Sequence, residues 1–405
     1  MMQTPREISG SWFTTGAEEA TFLAALAADS SRVAVEQVGA GAVDGAPIFL
    51  VSIGIPTPPT PGASDSILVI GLQHAEETAS RESTIEFCRD LAYTDDPALV
   101  AYLTAHPVYV LVTTNPDRIG DVTRNNKNNV DLNRDHLALS QSETRAIQNT
   151  IRRIRPSIII DIHENNGTGV TMQFGSPTQA QAAPTVRAAA TALREAIEAH
   201  VIAQGFTVGA YSAGNTPQIL RNTGSLRHSL CILFETDRTS FTTPVRISQN
   251  LTALRGVIDH HAASAASIQL AISAGRSGKI AEGLAAGAPF TLGATILSPP
   301  PRAYRLSGAQ RAVAAAHIQA FDIATIPDGA GWLVPMGQEA QPLIPFLFDA
   351  ESEWAVVPAE RVYDIVPLPA AARRAAGGSV VVDGVVAPIV RTVLWTGSQL
   401  LTANR

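Results

Sequence analysis

The sequence predicts an α/β fold with a mixed, largely parallel central sheet flanked by helices. Short, nearly continuous apolar runs alternate along the first part of the chain with longer segments whose apolar residues recur at helical spacing. Continuous apolar runs are typical of strands that are buried on both faces, as they are when helices cover a parallel sheet. The chain has 405 residues, 45% of them apolar and 16% charged, so it can form a large core.

The predicted elements follow one another in this alternating order. Apolar runs predict strands at residues 32–39, 46–54, 66–72, 107–114, 157–163 and 230–236. Helical spacing predicts helices at residues 17–28, 77–93, 140–153 and 183–203. Residues 56–62 (PTPPTPG) are predicted to form a stiff loop, because proline fixes its own φ and has no amide donor.

The composition changes near residue 283, where proline and glycine become frequent. We therefore predict one domain at residues 1–282 and a small α+β appendage at residues 283–405. The appendage is predicted to contain a helix at 309–321 and strands at 331–336, 353–358 and 378–390. It has no metal-binding or nucleophile pattern of its own.

Charge and composition exclude some classes of function. The formal net charge of -7 argues against a nucleic-acid-binding protein, which would need a basic surface. Two cysteines, Cys88 and Cys231, predict reduced core thiols rather than a disulfide framework. The first residues show no secretory signal, and no run reaches the roughly 18 apolar residues of a membrane span. We therefore expect either a cytoplasmic protein or one carried in a virion, for instance in a phage tail.

Polar residues stand at the ends of several predicted strands. His74 and Glu77 (HxxE) follow one strand, His163 ends another and Glu235 ends a third. Each has an ordinary explanation when taken alone: a chance HxxE, a hydrogen-bonded core histidine, and a salt-bridged strand end. The segment DLNRD (131–135) is equally consistent with a helix cap followed by a surface ion pair.

Together these residues are explained better by metal chemistry. Two histidines and a carboxylate form a three-ligand zinc set that leaves one position open for water. Zinc lowers the pKa of bound water to about 7 and polarises a carbonyl, and a further carboxylate is needed to take up and deliver the proton. An arginine fork suits a substrate carboxylate, because two parallel donors match two oxygens.

The ordered set of motifs resembles the zinc metallocarboxypeptidase family, the carboxypeptidase A-like peptidases. The resemblance covers roughly residues 12–265 and rests on five motifs in the family's order: HAEE (74–77), NPDR (115–118), RNNKNNVDLNRD (124–135), DIH (161–163) and FETD (234–237). The N-terminal helix–strand–turn–strand pattern is similar as well. Each motif is weak alone, but the ordered set is specific.

The resemblance implies a carboxypeptidase-like fold and a role for each motif residue. It implies one Zn²⁺ ion per chain, bound by His74, Glu77 and His163. Glu235 would be the general base and acid, and Arg124 would polarise the scissile carbonyl and stabilise its oxyanion. Asn133 and Arg134 would bind the terminal carboxylate of a peptide substrate.

The sequence also departs from the family pattern. Family members often carry HxRE, but Glu76 stands where that arginine would be, and Arg118 replaces the glycine of NPDG. Classical members have a loop tyrosine roughly twenty residues before the glutamate. Tyr211 stands 24 residues before Glu235, but we expect residues 219–221 to occupy that region, with Arg221 as a substitute for the tyrosine in substrate binding.

Three functions are compatible with these residues. The first is a carboxypeptidase that hydrolyses the C-terminal bond of peptides, either cytoplasmic peptides or cell-wall peptides. The second is an N-acyl amino acid amidohydrolase of the desuccinylase or aspartoacylase type, which shares several motifs but not the long N-terminal region. The third is a non-catalytic structural component of a phage tail or surface assembly. Whatever the function, the C-terminal appendage is a candidate surface for an assembly partner. The complete ligand set together with Glu235 favours an enzyme.

Overall fold

The computed structural model describes residues 2–54, 65–212, 214–285 and 288–363, and the backbone of short strands between residues 373 and 402. It contains two compact units. The first comprises Met1–Gln179, Val186–Ser225 and Ser229–Leu270, and the second comprises Ala180–Thr185, Leu226–His228 and Ala271–Arg405. The predicted boundary at residues 282–283 stays a prediction.

An eight-stranded sheet forms the centre of the first unit. Its strands are β1 (Val33–Ala40), β2 (Pro47–Ile53), β3 (Ile67–Ile70), β4 (Val108–Leu111), β5 (Ile158–Asn165), β6 (Met172–Gly175), β7 (Val208–Gly209) and β8 (Leu230–Asp237). Their order in the sheet is β1-β2-β4-β3-β5-β8-β6-β7. The neighbouring strands β4, β3, β5 and β8 are parallel, and antiparallel pairs lie on either side. The predicted fold class, a mixed and largely parallel sheet flanked by helices, is confirmed.

Helices connect these strands. Along the chain they are α1 (Pro5–Ser9), α2 (Gly16–Asp29), α3 (Thr78–Tyr93), α4 (Pro97–Ala105), α5 (Ser142–Ile154), α6 (Pro184–Ala203), α7 (Leu220–Leu226) and α8 (Thr243–Ala285). Helix α5 shows why they form: Ile147, Ile151 and Ile154 recur at helical spacing and are buried in the core beside the sheet. Burial of such a side chain contributes roughly 1.5–3 kcal/mol. Within the described residues, no helix is long and apolar enough to span a membrane.

The second unit contains a separate antiparallel sheet. Its elements are β9 (Phe290–Leu292), β10 (Thr295–Leu297), β11 (Ala303–Ser307), α9 (Gly308–Val313), α10 (Ala315–Ala320), β12 (Ile326–Asp328), β13 (Gly331–Pro335), α11 (Ile344–Phe348), β14 (Glu360–Val362), β15 (Arg373–Ala375), β16 (Ser379–Val382), β17 (Val385–Pro388), β18 (Val393–Thr396) and β19 (Gln399–Thr402). Four of these strands form one sheet in the order β12-β13-β11-β14. Buried Asp349 links two neighbouring strands of this sheet. It accepts hydrogen bonds from Tyr304 of β11 at 2.6 Å and from Arg361 of β14 at 2.6 and 2.8 Å.

Most of the predicted elements in the first unit are present within a few residues of their predicted bounds. Helices α1, α4, α7 and α8 were not predicted, because α1 and α7 are short and α4 and α8 show little apolar periodicity. The prediction of a strand at 353–358 is wrong: the backbone there forms turns, with Ser352 accepting from the amide of Ala355. The helix predicted at 309–321 is divided into α9 and α10 at Ala314. The proline-rich loop lies outside the described residues.

Candidate metal centre

The carboxyl edge of the parallel strands brings the HxxE motif and His163 together. His74 lies four residues after the end of β3, Glu77 directly precedes α3, and His163 lies near the end of β5, beside β3 in the sheet. The chain leaves β3 through Gly71, where a Cβ atom would be 2.7 Å from the carbonyl oxygen of Val112. Glycine is therefore required for the close approach of this loop to β4.

The three side chains present their polar atoms to one another. The Nδ1 atoms of His74 and His163 are 3.1 Å apart, and each lies against one oxygen of Glu77, at 2.7 and 2.8 Å respectively. All three side chains are at most 2% exposed. Burial acts to raise the pKa of Glu77, but the two imidazoles outweigh it and hold that pKa well below its usual value. Two imidazole nitrogens and an anionic carboxylate at these separations fit a zinc ion, which prefers this donor set.

Two aspartates orient the imidazole rings. Asp131 lies 3.0 Å from Nε2 of His74, and Asp161 lies 3.0 Å from Nε2 of His163. Asp161 is itself held by the side-chain amide of Gln73 at 2.6 Å. A proton on each Nε2, donated to the aspartate, leaves Nδ1 free to bind a metal. These contacts were not predicted from the sequence, although Asp161 stands two residues before His163 and so on the same face of β5.

Glu235 lies beside this group on the next strand. It is directly opposite His163 in the parallel pairing of β5 and β8, so both side chains leave the same face of the sheet. Its Oε2 atom is buried and has no hydrogen-bond partner among the described residues. Burial raises the pKa of Glu235 to about 8, with Glu77 and Asp161 adding to the shift and His163 opposing it. A carboxyl with these properties is suited to exchanging protons.

Arg124 is also at the centre. Its Nε donates to Asp131 at 2.8 Å and its Nη1 lies 3.7 Å from Glu77, while 42% of the side chain remains exposed. Arg124 is thus held at the metal-ligand group with part of its guanidinium accessible.

The DLNRD segment divides into a buried part and an exposed part. Asn133 is buried, with its Nδ2 at 3.0 Å from Nε2 of His163 and its Oδ1 accepting from the amide of Leu220 at 2.8 Å. Arg134 is exposed and donates to the carbonyl of Asn133. Asp131 does cap the following turn, but within the described part of the chain Arg134 forms no ion pair with Asp131 or Asp135. Its guanidinium is available to a ligand, whereas substrate binding by Asn133 stays a prediction.

Arg221 occupies a different environment. It lies in α7, is 1% exposed, and donates to the carbonyl of Gly214 at 2.8 Å and to Thr178 at 3.2 Å. Its guanidinium is 5.6 Å from the ring of Tyr211. Burial raises the pKa of the Tyr211 hydroxyl, and the charge of Glu235 adds to the shift. The predicted role of Arg221 in substrate binding stays a prediction.

Glu76, which replaces the arginine of HxRE, forms an ion pair with Arg238. The two side chains are 3.2 Å apart and both are partly exposed. Glu76 therefore has a partner of its own in the chain segment that follows β8.

Comparison with known proteins identifies the family. A family model described as zinc carboxypeptidase matches residues 20–241, more than half of the chain, and the chain therefore belongs to the zinc carboxypeptidase family. The confirmed resemblance includes the long N-terminal region that begins in α2.

Individual relatives match shorter parts. Carboxypeptidase SOL1 of Arabidopsis thaliana is 30% identical over 133 residues, which are 30% of this chain and 27% of that protein. Carboxypeptidase 2 of Trichophyton rubrum is 29% identical over 146 residues, 35% of this chain and 27% of that protein. The chain thus matches about a quarter of the length of these relatives. A solved metallo-carboxypeptidase from Burkholderia cenocepacia has the same fold, with a TM-score of 0.52 and 19% identity over 62% of this chain and 70% of that one.

Proposed function

We propose that this protein is a zinc-dependent carboxypeptidase that releases the C-terminal residue of peptides. The main support is the convergence of His74, Glu77 and His163 at one point, with Glu235 directly opposite His163 on the neighbouring strand. Membership of the zinc carboxypeptidase family supports the same reaction. A free terminal carboxylate would be the defining feature of the substrate.

One zinc ion would be held by Nδ1 of His74, Nδ1 of His163 and the carboxylate of Glu77. When bound there, zinc supplies a Lewis acid that activates water and polarises the scissile carbonyl. Asp131 and Asp161 keep the two rings in the required orientation by accepting their Nε2 protons.

Glu235 would move the protons of the reaction. Its buried Oε2 would accept a proton from the attacking water and deliver it to the nitrogen of the departing amino acid. A raised pKa suits both steps, because the carboxylate binds a proton more readily than an exposed one and can then release it to an amine.

Two arginines would recognise the substrate at different points. The accessible part of Arg124, beside Glu77, would stabilise the negative charge that develops on the scissile carbonyl oxygen. Arg134, aided by Asn133, would bind the terminal carboxylate, because its exposed guanidinium has no competing carboxylate partner among the described residues. A peptide library with D- and L-terminal residues would separate cell-wall peptides from ordinary ones as substrates.

The decisive experiment replaces Glu235 with glutamine. Glu235→Gln keeps the shape of the side chain but cannot take up the water proton, so we expect kcat to fall by roughly 10²–10⁴-fold with zinc content and fold unchanged. Glu195→Gln, at a carboxylate that is 62% exposed on α6, is the matched control and should behave like wild type. A Glu235→Gln protein that keeps most of the wild-type kcat would exclude this carboxyl as the general base.

A further inference from the structure

A second group of two histidines and a carboxylate lies elsewhere in the first unit. It consists of Asp65, His106 and His261, whose ligand atoms all lie within 4.8 Å of one another. The ligand atoms of the candidate metal centre are grouped within the same distance. The Oδ2 atom of Asp65 is 2.9 Å from Nδ1 of His106, and its Oδ1 atom is 3.0 Å from Nε2 of His261. We call these three residues the second cluster.

The second cluster is at the opposite edge of the sheet from the candidate metal centre. Asp65 precedes β3 by two residues, and His106 stands between α4 and β4. His261 lies within α8 and its side chain is completely buried. Because β3 and β4 are parallel, their amino ends share one edge, and the candidate metal centre occupies the other. The second cluster is therefore a separate feature of the fold.

The histidine from α8 is oriented in the way that metal ligands usually are. The hydroxyl of Tyr102 lies 2.7 Å from Nδ1 of His261, which directs Nε2 towards Asp65. Asp65 receives a further hydrogen bond from the side-chain amide of Gln269 at 3.0 Å.

Hydrogen bonding within the cluster leaves one buried nitrogen unsatisfied. Nδ1 of His106 is close to Asp65, but among the described residues it has no hydrogen-bond partner of acceptable geometry. An imidazole nitrogen that is buried without a partner is unfavourable. A cation between His106 and Asp65 would bind the lone pair of this nitrogen. The hydrogen bonds among the described residues leave this nitrogen without a partner.

We propose that Asp65, His106 and His261 bind a second divalent zinc-type metal ion, additional to the one at the candidate metal centre. Nδ1 of His106, Nε2 of His261 and one oxygen of Asp65 are its ligands. Two imidazoles and one carboxylate suit zinc, whose four-coordinate geometry leaves a position for water at the partly exposed side of Asp65. The ion links the start of β3, the end of α4 and the middle of α8, which are far apart in sequence, and its role is to stabilise the first unit.

The experiment measures zinc bound per chain after the metal-free protein is titrated with zinc and passed over a desalting column. Wild type should bind two ions, His261→Ala and His106→Ala one each, and His163→Ala one. His260→Ala is the matched control, because it replaces the adjacent histidine of α8, which contributes no ligand atom, and it should bind two. A single ion in wild type that is kept in His261→Ala and lost in His163→Ala, or a His261→Ala protein that still binds two ions, would overturn the proposal.

A second measurement separates this proposal from the catalytic one and guards against misfolding. In His163→Ala, added zinc at a hundredfold excess over Kd should raise Tm by about 5 to 10 °C. In the double variant His163→Ala/Asp65→Asn, which keeps the shape of the aspartate, zinc should raise Tm by no more than about 1 °C. An equal rise in both proteins would show that the ion binds elsewhere. This result does not depend on whether the protein is a peptidase.

Discussion

The candidate metal centre and the second cluster contain the same types of ligand at opposite edges of one sheet, yet their surroundings differ. His74, Glu77 and His163 are fully buried and have charged neighbours, with Asp131 and Asp161 on the rings and Arg124 at their side. In the second cluster Asp65 is 37% exposed, and the side chains that orient it and His261 are the neutral Tyr102 and Gln269. We infer that the groups around a ligand set, and not the ligand types alone, determine whether a bound metal would activate a substrate or stabilise the fold.

Removal of one ligand from each site should give the largest contrast. His163→Ala should lose the zinc of the candidate metal centre and essentially all turnover, because the remaining His74 and Glu77 form an incomplete buried site. The loss of zinc affinity should exceed the roughly 10- to 100-fold caused by removing a residue that only orients a ligand. His261→Ala should lose the ion of the second cluster but retain the ion of the candidate metal centre, which His163 binds. Metal analysis and peptide hydrolysis of both variants test this contrast. Undiminished zinc in both His74→Ala and His163→Ala would exclude the catalytic site.

Replacement of Arg134 should affect substrate selection at the candidate metal centre. A charge-assisted hydrogen bond is worth roughly 1.5–3 kcal/mol, so Arg134→Ala should reduce kcat/KM for a free-acid peptide by about 10- to 100-fold. The amidated form of the same peptide, already a poor substrate, should be almost unaffected. Arg134→Lys should recover only part of the loss, since an ammonium cannot reproduce the planar fork. An acid-to-amide ratio equal to that of wild type would show that Arg134 does not bind the terminal carboxylate.

Replacement of Asp131, which contacts Nε2 of His74, should reduce zinc affinity by less than the loss of a ligand does. Asp131→Asn keeps the size of the side chain and removes the charge that holds Nε2 of His74 and Nε of Arg124. We expect zinc affinity or kcat/KM to fall by roughly 10- to 100-fold. Asp121→Asn, at an exposed aspartate paired with Arg118, is the matched control. Competition with a zinc chelator measures the affinity, and equal affinities in both variants would argue against an orienting role for Asp131.

The smallest expected effect is that of the Asp65 carboxylate on the free energy of unfolding when no metal is bound to the second cluster. Because the folded-state pKa of Asp65 is lowered, mainly by the hydrogen bond from His261, its carboxylate stabilises the fold above the ordinary aspartate pKa of about 4. That contribution is lost as the pH falls through the folded-state pKa. The free energy of unfolding should therefore differ between wild type and Asp65→Asn by less than about 1 kcal/mol, most above pH 4 and less below it. Urea unfolding in the presence of chelator measures the difference, and one that grows as the pH falls would contradict this sign.

The sequence was sufficient to predict the sheet and the positions of the proposed ligands, for a physical reason. Parallel strands end at one edge, so polar residues that follow apolar runs, such as His74 and His163, must lie near one another. The contacts of Asp131 and Asp161 with the imidazoles could not be predicted, because they depend on how each ring is turned. The second cluster was missed because Asp65, His106 and His261 come from a strand entry, a helix end and the interior of α8, and no short motif connects them.

The pairing of β5 with β8 limits how this part of the chain can change in length. His163 and Glu235 are opposite each other in a register without irregularity, which extends from the pair Ile158–Leu230 to the pair Asn165–Asp237. Insertion of a single residue in β5 before His163, or in β8 before Glu235, would turn the later side chains of that strand to the other face and separate the proposed ligand from the proposed base. The same insertion in a surface loop would leave both in place. Length variation in this protein is therefore tolerable between the strands but not within these two, which makes β5 and β8 the fixed frame around which the loops can diversify.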